Sequence, residues 1–173
     1  PELDQEYELL LRCKAALEEN KPLRGLEFTA EEEKRIRGFQ FLSLKPVLYV
    51  LNLGEADAPR MTEIEKEYRE GPLANRPKTA VTAVCGKIEA ELAELAPEEA
   101  KEYLASYGLS ESGLVRLISA TYSLLGLMSF LTAGETEVRA WTIPQNSTAV
   151  KAAGAIHSDF EKKFIRAEVV NWK

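Results

Sequence analysis

The run Lys45-Pro46-Val47-Leu48-Tyr49-Val50-Leu51-Asn52-Leu53-Gly54-Glu55 constrains the fold more than any other part of the chain. An apolar stretch from Val47 to Leu51 ends at an Asn, and a carboxylate follows three residues later. The stretch is continuous rather than alternating, which predicts a strand over 46–51 buried on both faces of a parallel sheet. In nucleotide-binding α/β folds, ligands sit just beyond the carboxyl ends of such strands. An Asn amide offers one acceptor and one donor in a single plane, the complement of the N6 amino group and N7 of adenine. Asn52 therefore reads as the base-recognition corner of a nucleotide site. A strand that simply ends in an Asn turn is the other reading.

The second strand signal is Thr79–Val84, which leads into Cys85-Gly86-Lys87 and a helix beginning Ile88-Glu89-Ala90-Glu91-Leu92. Small residues at such a turn let main-chain donors approach a ligand; a plain strand-to-helix turn fits as well. The two motifs together resemble a known family. Asn52-Leu53-Gly54-Glu55 resembles the fourth motif of P-loop GTPases, Asn-Lys-x-Asp, in the altered form Asn-x-x-Glu of the Obg-like ATPases, also called YchF. Cys85-Gly86-Lys87 resembles the fifth motif. The family favours ATP over GTP, and the loss of the short Asp suits adenine, which lacks the two donors that guanine presents to it. The resemblance implies that Asn52 reads adenine, Leu53 lines its face, Glu55 orients the loop, and Cys85 and Gly86 close the other side.

The rest of the chain reads as three pieces. Leu3, Tyr7, Leu10, Cys13 and Leu17 form a helical stripe over residues 2–19, which needs a partner to cover it. By resemblance, residues 1–28 belong to a helical, coiled-coil insertion. Residues 29–125 correspond to the C-terminal half of the nucleotide-binding domain. Within them, Thr29 and Glu32 have capping-box spacing at the start of a helix running to Phe39, and Arg60–Arg69 reads as a polar helix on a solvent face. Pro97 suits a first helical turn, and Leu114, Leu117, Ile118, Thr121, Leu124 and Leu125 line the expected buried face of a long helix. Residues 126–173 read as strand (Met128–Thr132), strand (Glu137–Ile143), helix (Ala149–Phe164) and strand (Ile165–Val170). This order, and the run from Glu137 through Val170, closely resemble the β-grasp TGS domain of the Obg-like ATPases. The expected fold is thus a partial α/β P-loop GTPase-like domain with a helical segment, followed by an incomplete α+β β-grasp unit.

Charge and composition narrow the functions. The chain has 173 residues and a net charge of −6, against a broad nucleic-acid surface. Residues 126–173 carry one net positive charge, so a local basic face there can still meet RNA. No apolar run is long enough to span a membrane, and Cys13 and Cys85 lie far apart with no metal spacing, as expected of reduced cytoplasmic thiols. Neither a Gly-x-x-x-x-Gly-Lys-Ser/Thr run nor an Asp-x-x-Gly motif occurs. Such a chain has no phosphate cradle and no hydroxyl for Mg²⁺, so it is expected to lack a catalytic residue and a metal site and to be inactive alone. The resemblance implies an internal segment of a longer protein that binds ATP with Mg²⁺ and associates with the ribosome. The alternative is a non-catalytic RNA- or protein-binding module derived from that family.

Three further residues invite stronger readings. His157, the only histidine, has no nucleophile or paired carboxylate spaced to work with it and reads as a structural residue of the last helix. Trp141 reads as a hairpin core aromatic, with base stacking as the alternative. Cys85 reads as a packed thiol. Two departures from the family pattern appear around the last helix: Ala149-Val150-Lys151 lacks a helix-start proline, and Lys163 replaces a glycine, at about 1 kcal/mol if it turns left-handed.

Overall fold

Val47–Asn52 (β1) and Thr79–Val84 (β2) form a parallel pair in the computed structural model, which describes residues 2–171. Val47 stands opposite Thr79 and Asn52 opposite Val84. Parallel pairing needs a long crossover, and residues 53–78 supply it: a 3₁₀ turn over Glu55–Arg60, the helix Met61–Glu70 (α3) and a loop. The remaining helices of this region are Glu2–Glu18 (α1), Ala30–Ile36 (α2), Gly86–Leu92 (α4), Pro97–Ser106 (α5) and Gly113–Leu124 (α6). The chain divides into two compact units, Pro1–Leu124 and Leu125–Lys173.

The main core of the first unit lies at the carboxyl end of the sheet. Ala58, Met61, Ala83, Cys85 and Ile88 are buried together, and Leu51, Leu53, Tyr103 and Tyr107 pack around them. α3 and α6 both pack on β2, which explains why Val81, Thr82 and Ala83 are buried. β1 is more open than its apolar run predicts. Its residues are half-buried or exposed, and Val50 is 45 % exposed. β1 pairs on one edge only, so among the described residues no second strand or helix layer covers it fully.

A second cluster supplies the partner that α1 needs. Cys13 and Ala16 pack against Leu23, with Leu26, Phe28, Phe41 and Leu44 around them. The covering surface is the chain that follows α1, and α2 within it also contacts α1. The buried face runs through Leu9, Cys13 and Ala16, while Leu3, Tyr7 and Leu17 are exposed. The expected stripe was thus rotated by part of a turn, because small Ala16 fits the close approach that Leu17 does not. The Thr29–Glu32 capping box forms as expected. The expected face of α6 holds in part: Leu117, Thr121 and Leu124 are half-buried, beside Gly113, Arg116 and Ala120, whereas Leu114, Ile118 and Leu125 are exposed.

In the second unit, Leu127–Ala133 (β3) and Val138–Pro144 (β4) pair antiparallel. Two short helices follow, Ala149–Ile156 (α7) and Ser158–Lys162 (α8). The expected single helix breaks at His157, whose backbone is extended (φ −160°, ψ 141°) and whose Nδ1 accepts from the Asp159 N–H at 3.1 Å. His157 is therefore a helix cap. Thr148 caps α7 by accepting from Lys151 N–H, in place of a starting proline. Lys163 sits at φ −113°, so the left-handed strain does not arise. Trp141 is half-buried and donates to Thr132 Oγ1 at 2.9 Å. Ile165–Val170 forms no strand: no described strand pairs with it, and Ile165 is 91 % exposed.

Candidate functional site

The register of β1 and β2 brings the two sequence motifs side by side. Both strands end at the same level, and the Leu53 N–H extends the ladder by one bond to Val84 O at 2.8 Å. Just beyond, Asn52 Oδ1 accepts from the Gly86 N–H at 3.0 Å. That amide is one of the donors at the start of α4 with no partner inside the helix, so Asn52 satisfies it from the neighbouring loop. The approach is close. A Cβ added to Gly86 would lie 3.2 Å from Asn52 Oδ1, tighter than an ordinary contact. Glycine at position 86 thus has a packing reason, and the two motifs form one unit.

Asn52 is exposed at this end of the sheet. One lone pair of its Oδ1 is used by Gly86; the other remains, as do two donors on Nδ2. Leu53 is half-buried and packs on the core under the loop. The Cys85 side chain is 1 % exposed within the same core, so Cys85 can serve a ligand only through its main chain.

Glu55 is held from two sides. Its Oε2 accepts from Lys87 Nζ at 2.6 Å, and its Oε1 accepts from the Tyr107 hydroxyl at 3.0 Å. Lys87 follows Gly86 in α4, and Tyr107 follows α5. The hydrogen bond from Lys87, then that from Tyr107, holds the Glu55 carboxyl below its ordinary range. The same bond raises Lys87, and the bond to Glu55 raises the Tyr107 hydroxyl. One carboxylate thereby ties the Asn52 loop to α4 and α5.

Two carboxylates that sequence reasoning missed support the site from behind. Glu65 is 8 % exposed, although α3 reads as a solvent helix. It accepts from Ala83 N–H at 2.6 Å, Thr82 Oγ1 at 3.2 Å and Arg116 Nη2 at 2.5 Å. In a parallel pair, alternate residues bond to opposite sides, so the Ala83 N–H faces away from β1 and Glu65 satisfies it. The signal was present: Met61, Ile64 and Glu65 share a helix face, with a carboxylate at an apolar position. Glu89 of α4 accepts from Gly113 N–H at 2.6 Å and Leu114 N–H at 3.2 Å, which caps α6. Only its place in the fold reveals that role.

Two grooves lie elsewhere in the first unit. One of about 370 Å³ runs beside β2 and is lined by Arg69, Leu73, Val81 and Ala120. Another of about 530 Å³ is lined by Lys21, Arg24, Asn75 and Arg76. Neither includes Asn52, and the convergence of both motifs on the strand ends outweighs groove size in placing the site. Among the described residues, no group of three or more His, Cys, Asp or Glu side chains is placed to hold a metal ion, and no helix is long and apolar enough to cross a membrane.

The chain is similar to known proteins. Residues 127–173 match the family YchF-GTPase_C, described as of unknown function. The chain is 45 % identical over 168 residues to the ribosome-binding ATPase YchF of Bacillus subtilis (strain 168), covering 97 % of this chain and 46 % of that protein. It is 44 % identical over 168 residues to the ribosome-binding ATPase YchF of Escherichia coli O157:H7, with the same coverage. The solved structure of the Schizosaccharomyces pombe YchF GTPase superposes with a TM-score of 0.72 at 32 % identity, covering 94 % of this chain and 43 % of that one. The chain spans about half the length of the curated relatives it matches. Their names also differ on the base: the bacterial relatives are called ATPases and the yeast protein a GTPase.

Proposed function

The chain belongs to the YchF family, and from that premise we propose that it forms the base-recognition end of the nucleotide site in a cytoplasmic, ribosome-associated ATPase. The observation that carries this reading is the Asn52–Gly86 hydrogen bond at 3.0 Å, which fixes an exposed amide at the carboxyl ends of two parallel strands. Asn52 Nδ2 donates to N7 of adenine, and the second lone pair of Oδ1 accepts from the N6 amino group. Leu53 adds apolar surface below the base. Gly86 and the main chain of Cys85 allow close approach from the α4 side. Glu55 orients the loop through Lys87 and Tyr107.

ATP with Mg²⁺ is the ligand proposed for the whole protein. When bound to the whole protein, ATP would supply the phosphoryl group and Mg²⁺ would neutralise the charge that develops on it. The residues present fit the base rather than the phosphates, since the chain has no phosphate-loop run. Its own part is to bind and orient, and it is not expected to hydrolyse ATP alone. Calorimetric titration with ATP tests the assignment. Removal of two base contacts in Asn52→Ala should weaken binding roughly tenfold or more. An affinity unchanged by that substitution would defeat the reading.

A second reading concerns the other unit. The Arg139 guanidinium lies 4.3 Å from the Trp141 ring centroid on the hairpin, an arrangement that suits stacking on an RNA base. Co-sedimentation of the chain with ribosomes, for wild type and Trp141→Ala, tests it. Loss of pelleting in the variant without nucleotide would favour a non-catalytic RNA-binding module.

A further inference from the structure

This inference rests on the base-site reading above and concerns how the site chooses its base. We propose that Lys87 and Tyr107 set the preference for adenine by holding the carboxylate of Glu55, which follows Asn52 at the motif spacing, in a fixed direction through one hydrogen bond to each oxygen.

Guanine differs from adenine at the edge that an Asn does not reach. It presents an N1–H and an N2 amino group, two parallel donors that suit a carboxylate accepting through both oxygens. Adenine has neither. Glu55 is the acidic side chain that follows Asn52 at the spacing of such a reader. Its side chain is only 34 % exposed. Oε2 is held by Lys87 Nζ at 2.6 Å, a short charge-assisted bond. Oε1 is held by the Tyr107 hydroxyl at 3.0 Å. The two donors come from different elements, just after Gly86 and just after α5, so they fix the carboxylate in position and direction. Each oxygen keeps a further lone pair, so guanine is disfavoured by the direction in which the two donors hold the carboxylate: a bidentate partner must turn it against both bonds.

The loop thus contains a guanine reader held inactive. Discrimination comes from an alternative made costly as much as from contacts to the preferred ligand. Lys87 and Tyr107 are specificity-determining residues on this account, although neither needs to touch the base.

The test uses the whole chain, labelled with ¹⁵N, and follows the Gly86 amide and the Asn52 side-chain amide by NMR. Adenosine and guanosine are titrated separately, since nucleosides report the base contacts alone. The variants are Lys87→Met, which keeps the stem at an exposed position, and Lys87→Met combined with Tyr107→Phe, which keeps the ring in the core. Wild type is expected to prefer adenosine. In the double variant the ratio of guanosine to adenosine affinity should rise roughly tenfold, the combined effect of releasing one ion pair and one hydrogen bond, with any loss from the freed loop shared by both nucleosides. Adding Glu55→Ala should abolish the gain. A double variant with an unchanged preference, beside a wild type that still takes adenosine, overturns this inference and leaves the base site standing. A wild type that responds to neither nucleoside overturns both.

Discussion

The two units hold themselves together in opposite ways. The first buries two apolar clusters and a Glu65–Arg116 ion pair that accepts from the outer edge of β2. The second has one buried hydrophobic side chain among the described residues, Ile143, while Val138, Leu131 and the 164–170 segment are open. Yet the second unit carried the longer sequence resemblance, more than twenty positions in order, while the Asn52 motif rests on four residues. Recognisable sequence and self-sufficient structure are therefore separate properties. A hairpin with two short helices buries little apolar surface, whereas the strand-end motifs sit directly above a packed core.

The contrast can be broken optically, because the six tyrosines all lie in the first unit and both tryptophans lie in the second. Tyrosine absorbance and tryptophan fluorescence then follow the units separately during urea unfolding. Glu65→Ala should have the largest effect. It leaves the Ala83 N–H, the Thr82 hydroxyl and the Arg116 guanidinium without their acceptor, and Arg116 Nε already lacks a partner. Removing one member of a buried pair costs about 3–5 kcal/mol. The tyrosine transition should fall by that amount with the tryptophan transition unmoved. A common shift of both signals would show that the units unfold as one.

Ile143→Ala sharpens the same comparison from the other side. Truncating a buried isoleucine costs about 2–4 kcal/mol, which for a unit with a single buried apolar side chain is enough to unfold it. Tryptophan fluorescence in the variant should match the unfolded chain before any urea is added, with the tyrosine transition intact. Leu131→Ala, at a 56 % exposed position, should move either signal by less than about 0.5 kcal/mol. A larger effect at Leu131 than at Ile143 would put the core of this unit on the other face of the hairpin.

What was legible in the sequence follows from how local each feature is. The strand ends at Asn52 and Val84, the Thr29–Glu32 cap and the hairpin depend on neighbouring residues, and each formed. The buried faces of α1 and α6 depend on what packs against them, and periodicity alone did not choose between adjacent stripes. The break at His157 is local too, but it requires weighing a histidine cap against an uninterrupted apolar pattern, Ala152 through Phe164. At the site, Asn52, Glu55 and Gly86 were visible as motif residues. Tyr107 was not, because it lies 52 positions from Glu55 and nothing in its surroundings marks it. Glu65 was misread because a carboxylate in a polar helix looks solvated until an arginine from another helix meets it.

The smallest expected effect separates Glu55 from Glu65, and so an exposed tether from a buried one. The Glu55 carboxyl lies below its ordinary value of 4.5, chiefly because Lys87 and then Tyr107 donate to it. Its folded pKa is thus lower than its unfolded one, so its contribution to stability is complete above the unfolded value and is lost as pH falls through the folded value. Lys87 lies above its ordinary 10.5, chiefly through the same hydrogen bond. Its contribution is complete below 10.5 and is lost as pH rises through the folded value. The Tyr107 hydroxyl is likewise raised above its ordinary 10.0 by Glu55, so the difference in tyrosine-reported stability between wild type and Glu55→Gln should be flat between pH 4.5 and 10.0 and shrink beyond both ends. Salt should reduce it, because the Lys87 side chain is 64 % exposed. A difference that persists undiminished at pH 3 would mean that Glu55 acts through its shape and neutral hydrogen bonds rather than its charge. The carboxylate would then have no charge to withhold from guanine, and the base preference proposed above would rest on Asn52 alone.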